Sequence, residues 1–440
     1  MRTRVIAPIV AVWLAALAAG SAPASAQAPP GDPPPLADLQ DAAIARDPRV
    51  REFDLHAEAA DLRLATIAAG RRPGLAVEGR TQYQSDVPRA PVLTPDGAPL
   101  FSPPKDTYDA SLRLDVPLVE PTIEPRLAVE RAARDEAQAR VRTAIFDVRQ
   151  EVNAAFFAAA LLDQRRHVLE TVLGDLEARW TEAGVRVEQG AAIPAEAASL
   201  EAALLERRQE LAEVMASRAA ARARLTRLTG HTFAGDEPVV APDLAVAVER
   251  ARAALDDVRA RPEFAQFAST RARLARQQDV ASAADRPRVS AFATAGVGRP
   301  GLNFIDDNIQ GYWLTGLRVQ WTAWDRGTSG RERDVLDRER AIVAAEEAAF
   351  AERLRRGVED DLADMDRLAA AGSLDDRVVA LREEVVRSAR AQLAEGATTG
   401  ADYANRHAEL LTARLARARH RVELAQARAR FLTVLGLEVR

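Results

Sequence analysis

The sequence predicts a mainly α-helical chain with some β structure, built twice from one elongated unit. Three observations carry that expectation. Of the 440 residues 28% are charged and only 5% aromatic, with Ala, Arg, Glu and Leu abundant, a composition of long helices. Sequence markers recur at matched separations in the two halves. Two stretches of period-two alternation also stand directly before two very long stretches of helical periodicity.

Composition also narrows function. The length suggests two to three domains and a core large enough to need neither disulfides nor structural zinc. With no cysteine, thiolate catalysis, zinc fingers, iron–sulfur clusters and cysteine lipidation are excluded. Asp and Glu (65) outnumber Lys and Arg (60), a net charge of −5, so nucleic-acid binding is disfavoured. Lys105 is the only lysine.

Residues 1–26 read as a leader. Arg2 and Arg4 precede the apolar run Val5 to Ala18, and Ala24-Ser25-Ala26 offers small residues for cleavage before Gln27. The run is short for a spanning helix, and Pro8 interrupts it. Without the leader, net charge falls to about −7, and no later stretch is apolar enough for a spanning helix. β-strands would remain a route into a membrane.

The remainder reads as two copies, 27–230 and 231–440. Pro48 to Pro73 spans 25 residues, as does Pro262 to Pro287. Gly190 to Gly230 spans 40, as does Gly396 to Gly436. The halves are offset by 214 at the prolines and 206 at the glycines, so the first carries about eight extra residues between these markers. Each copy is expected to run helix, β-hairpin, very long helix, Gly-containing turn and return helix of roughly 38 residues. The first helices fall at 36–70 and at 244–284, the latter broken at Pro262. The long helix of the first copy falls at about Glu124 to Val185, where Ile145, Val148, Val152 and Phe156 recur at helical spacing, followed by Leu161, Leu169, Val172 and Leu176. Its counterpart falls at about Glu332 to Gln392, with a disturbance expected near Gly372-Ser373. A helix on the order of 90 Å long belongs to a rod, a coiled coil or a tube.

The hairpins, 75–116 and 288–322, separate those options. Leu75, Val77, Gly79, Thr81 and Tyr83 alternate with Ala76, Glu78, Arg80 and Gln82. Tyr108, Ala110, Leu112, Leu114 and Val116 alternate with Asp109, Ser111, Arg113 and Asp115, while Trp313, Thr315, Leu317, Val319 and Trp321 alternate with Leu314, Gly316, Arg318 and Gln320. Val289 to Val297 is a weaker strand, rich in Ala and Gly. One-sided strands of roughly ten residues with Tyr and Trp near their ends suit an outer-membrane barrel wall. On the strands alone an ordinary soluble hairpin would be preferred, but the leader and the duplication favour the membrane. The connection 86–107 contains six prolines and is expected as a long exposed loop; 299–310 is shorter.

Chemistry-bearing constellations are scarce. His56, His167, His231, His407 and His420 lack ligand or triad spacing and read as packing or helix-surface residues. Gly296-Val297-Gly298 lacks the helix that a phosphate loop requires. Acidic runs such as Asp306-Asp307 and Glu359-Asp360-Asp361 read as solvated faces. No catalytic residue, cofactor or metal site is expected.

The order of elements and the strand-to-helix junctions resemble the TolC family of outer-membrane efflux proteins across essentially the whole mature chain. Trp321-Thr322-Ala323-Trp324-Asp325-Arg326-Gly327 is similar to the family's aromatic/Pro-Leu-Phe-Asp-x-Gly junction, and Val116-Pro117-Leu118-Val119-Glu120 stands at the equivalent place before departing at Pro121-Thr122. Pro117 and Gly327 are expected where the chain turns from strand to helix. The turns resemble the family's Gly-x-x-[Thr/Ser]-x-x-Asp pattern. Gly396-Ala397-Thr398-Thr399-Gly400-Ala401-Asp402 matches it, while Gly190-Ala191-Ala192-Ile193-Pro194-Ala195-Glu196 has Ile for the hydroxyl and Glu for Asp.

The resemblance implies a homotrimer, each protomer giving four strands to one twelve-stranded barrel in outer-membrane lipid, continued by an α-helical tunnel through the periplasm. It further implies a passive exit duct of a tripartite efflux or type I secretion system, fed by an inner-membrane transporter through a periplasmic adaptor. The tip turns (Gly190, Glu196, Gly396, Thr399) would meet the adaptor, and Asp402 would stand in an acidic ring at the tunnel entrance. Asn405 falls where some members have a second acid, implying a single or weakened ring. By residue chemistry alone these turn residues read first as helix-ending and helix-capping groups. The alternative reading is a secreted periplasmic coiled-coil scaffold or adaptor without a channel.

Overall fold

The computed structural model describes residues 34–88, 95, 103–233, 236–253, 260–303 and 307–439. The expected leader and its cleavage after Ala26, Asp306, and most of the first hairpin loop lie outside the described residues. The chain runs α1 (Leu36–Arg46), a 3-10 turn (Pro48–Arg51), α2 (Glu52–Ala69), β1 (Gly74–Tyr83), β2 (Asp106–Val119), α3 (Ile123–Glu188) and α4 (Pro194–Thr229). It continues α5 (Ala245–Ala253), α6 (Pro262–Ala284), β3 (Arg288–Arg299), β4 (Gln310–Gln320), α7 (Thr328–Ala394) and α8 (Gly400–Val434).

The expected helix over 36–70 is broken. α1 ends at Arg46 because the residue before a proline is pushed out of the helical region; Asp47 is extended and accepts the Arg49 N–H at 2.8 Å to start the 3-10 turn. The 244–284 stretch likewise divides into α5 and α6, with Pro262 at the first turn of α6. At Gly372-Ser373, by contrast, the expected disturbance is absent and α7 is continuous for 67 residues. A lone glycine in a helix costs only about 1 kcal/mol, the Ser373 hydroxyl donates to the Ala370 carbonyl, and packing along α8 outweighs so small a penalty.

α3, at 66 residues, extends for about 100 Å. Its upper part packs on α2 and α6, its lower part on α4 and α8; α7 packs on α6 above and α8 below. Ile145, Val148, Val152 and Phe156 are buried, as are Leu169, Val172 and Leu176. One apolar cluster surrounds the middle of the helices, where α1, α5 and the segment after α4 cover Val152, Phe156 and Phe157; a second lies lower, around Leu200, Leu204, Leu393, Tyr403 and Leu411.

The middle cluster encloses polar groups that find partners. Gln40 donates to Asn153, which donates to Thr433. Asp163, 4% exposed, accepts from Arg218 at 2.5 Å and from the Val239 N–H at 2.9 Å, pinning the segment after α4. Asp361 on α7 meets Arg430 on α8, yet burial still pushes its carboxyl above the usual range.

The strands form one antiparallel sheet in the order β1-β2-β3-β4. The register sorts the faces. One face carries Leu75, Val77, Tyr108, Leu112, Leu114, Val289, Val297, Trp313, Leu317 and Val319; Val77, for example, is 83% exposed in the single chain. The Ala- and Gly-rich β3 is a central strand, paired on both sides, where small side chains admit larger neighbours. No described helix is long and apolar enough to cross a membrane.

Candidate functional site

The expected site residues occupy two levels, the junctions below the sheet and the turns at the other end of the long helices. At the lower turns α3 and α7 end in one backbone arrangement. Gly190 and Gly396 both have φ 71°. The Gly190 N–H donates to Val187 O at 3.0 Å and Ala191 N–H to Arg186 O at 2.7 Å; Gly396 N–H donates to Leu393 O at 3.1 Å and Ala397 N–H to Gln392 O at 2.8 Å. These are paired Schellman closures, in which a left-handed residue lets the last carbonyls be satisfied.

The next helices begin differently. Thr399 caps α8: its hydroxyl oxygen accepts the Asp402 N–H at 3.1 Å, and its hydroxyl donates to Asp402 Oδ2 at 2.8 Å. Hydrogen bonds given to the carboxylate by the Thr399 hydroxyl and backbone hold the exposed Asp402 carboxyl below its ordinary range, so it stays ionised. Asn405 is exposed one turn further. Ile193 offers α4 no side-chain cap, and Pro194 fills the first position.

Two residues missed in the sequence join the turns. Arg186 donates to the Leu393 carbonyl at 2.8 Å and stands 3.8 Å from Glu196, tying the end of α3 to the end of α7 and to α4. Gly400 lets α8 approach α4: a Cβ there would lie 2.9 Å from the Glu196 carbonyl oxygen. Neither has a sequence signature beyond its place in a helix.

At the junctions, Asp325 organises the start of α7. Its carboxylate accepts the Ser329 N–H at 2.6 Å, the Gly327 N–H at 2.8 Å and the Thr328 hydroxyl at 3.0 Å. Led by the Ser329 bonds, these hold its carboxyl far below the usual range. Arg326 (φ 60°) and Gly327 (φ 75°) are consecutive left-handed residues, which makes the sharp turn into α7. Asp285, also missed, clamps the junction from α6: its carbonyl accepts the Trp321 indole N–H at 3.0 Å and its carboxylate the Ser329 hydroxyl. Trp324 is 80% exposed.

Pro117 departs from expectation. It lies inside β2, opposite Ser290 beside a register shift, and the chain turns at Glu120–Thr122 instead. Lacking an N–H, proline disturbs the ladder there without ending the strand.

The second sheet face is polar. Arg113 meets Asp115 at 2.8 Å, Arg318 stands 3.7 Å from Asp115, and Tyr312 reaches across β3 to Asp109 at 2.5 Å. Together with the opposite apolar face, this gives a wall with an oily outside and a charged, hydrogen-bonded inside, as a barrel around water requires.

Residues 39–231 match the outer membrane efflux protein family. That match lies in the first half of the chain and takes in α1 to α4 with the first two strands. The fold is similar to that of CusC (15% identity, 91% of this chain and 92% of that chain covered, TM-score 0.67). It is also similar to VceC from Vibrio cholerae (15%, 92% and 97%, TM-score 0.65) and to the open MtrE channel of Neisseria gonorrhoeae (16%, 92% and 89%, TM-score 0.64). No curated protein is a significant sequence match. The scaffold alternative finds no support among these relatives.

Proposed function

We propose that three copies of this chain close one twelve-stranded barrel in the outer membrane and continue it as a helical tunnel through the periplasm, forming a passive duct. The observation that carries this reading is the sheet itself. β1 and β4 are edge strands of a sheet whose apolar face is exposed, and a lipid-embedded wall requires every strand edge to be paired. Pairing β4 of one copy with β1 of the next removes both edges. The chain itself is read as two copies of one unit, 27–230 and 231–440, after export by a leader cleaved behind Ala26.

In this reading the lower turns, with Gly190, Glu196, Gly396 and Thr399, face a periplasmic adaptor that couples the duct to an inner-membrane transporter. Asp402 contributes to an acidic ring at the entrance, a role supported by its exposed position and by the hydrogen bonds from Thr399 that keep its carboxylate ionised. Asn405 adds a polar amide without charge. Trp321 and Trp324 sit at the periplasmic edge of the lipid, where indoles are favoured.

Native mass measurement of the detergent-extracted protein is expected to give three copies, and a monomer would reject the closed barrel. Lys105 gives the orientation. A membrane-impermeant amine reagent applied to intact cells is expected to label it, and Lys105→Arg should remove that label.

A further inference from the structure

Just above the lower turns, a buried polar group joins the two helical hairpins. Asp175 lies on α3, in the first hairpin; Tyr403 and His407 lie one turn apart on α8, in the second. The Tyr403 hydroxyl donates to Asp175 Oδ2 at 2.6 Å, and His407 Nε2 is 3.0 Å from the same oxygen. Tyr403 is 0% and His407 3% exposed, and His407 Nδ1 is buried without a hydrogen-bond partner. The charges around the group are few. Arg179 on α3 acts on Asp175 and Tyr403, and Arg390 on α7 acts on Tyr403. From α4, Leu200, Leu204 and Val214 belong to the same buried apolar cluster as Tyr403. Arg406, beside His407 on α8, acts on Asp402.

We propose that Asp175, Tyr403 and His407 form a proton-sensitive clasp between the hairpins, tightening the tip of the channel at acid pH and loosening it as pH rises. The donors from His407 and Tyr403 keep the Asp175 carboxyl at about 2, so it is an anion throughout the working range. Of the three side-chain types in the clasp, imidazole is the one whose charge ordinarily changes between pH 5 and 8. The charged imidazolium makes a charge-assisted bond to Asp175, and the neutral ring a weaker one. His420 serves as a control. It meets Asp375 at 2.6 Å, but that pair joins α8 to α7 within one hairpin and cannot hold the two hairpins together.

The inference rests on the channel reading and is tested with the full-length protein in a planar bilayer, with the tip side titrated from pH 8 to 5.5. The open-to-closed ratio of the unaltered channel is expected to fall about three- to tenfold. His407→Gln, which retains a donor but cannot be charged, should flatten that response, and His420→Gln should leave it intact. A wild-type response surviving in His407→Gln, or a conducting wild type indifferent to pH, overturns the clasp. A wild type that never conducts instead overturns the channel reading. Hydrogen exchange of residues 400–411 in the unaltered protein gives a second readout without a mutation. After correction for intrinsic rates, protection is expected to be lower at pH 8 than at 5.5, and equal protection also overturns the clasp.

Discussion

The turn after α3 and the turn after α7 have the same backbone, with glycine at φ 71° and the same pair of closing hydrogen bonds, yet they start their next helices by different means. The second uses a threonine cap that also holds an ionised Asp402. The first uses a proline at the helix start and an arginine, Arg186, that reaches across to the second turn. The difference teaches that the backbone carries the shape of the helical tip, while the side chains are free to divide tasks. One turn presents charge; the other supplies the bond between hairpins.

The comparison breaks most visibly at the point where the two turns touch. Gly400→Val places a side chain against the Glu196 backbone and is expected to cost roughly 2–3 kcal/mol, read as a lower thermal midpoint. At Gly190 an added Cβ meets nothing within 4 Å, so Gly190→Ala should cost only the left-handed strain, about 1 kcal/mol. Equal losses at the two sites would mean that the hairpins are not pressed together there.

The next effect concerns acid. Asp175 is held at about 2 in the fold and returns to about 4 when unfolded, so its contribution is complete above pH 4 and is lost as pH falls towards 2. We expect about 1–2 kcal/mol after screening, visible as a midpoint difference between wild type and Asp175→Asn that shrinks across that window. The caps come last. Thr399→Ala should lose about 1 kcal/mol, whereas Ile193→Thr should gain a few tenths by giving the first turn the cap it lacks. If Ile193→Thr destabilises, Ile193 has packing that its 67% exposure does not suggest.

Much of this was legible from residues alone. Period-two alternation read out the strands, and the register then put Leu75, Val77, Leu112 and Leu317 on one face. The apolar spacing in α3 named residues that are buried. All four marker glycines, Gly190, Gly230, Gly396 and Gly436, are left-handed, so their matched spacing was a record of backbone shape. Other features were not legible because they arise between segments distant in sequence. Arg186 and Asp285 look like any charged helix residue until the fold brings Leu393 and Trp321 beside them. His407 read as a packing histidine, and its partner Asp175 lies 232 positions away. Pro117 misled in the opposite direction, since a proline beside a bulge resembles a proline at a strand's end.

The most direct test of the account is conductance across a planar bilayer, with a multivalent cation added on the tip side. The account predicts stepwise channels that the cation blocks, with block weakened in Asp402→Ala and assembly unchanged. Block of the same strength in Asp402→Ala would remove Asp402 from the entrance, and an absence of any conductance from assembled protein would contradict the duct itself.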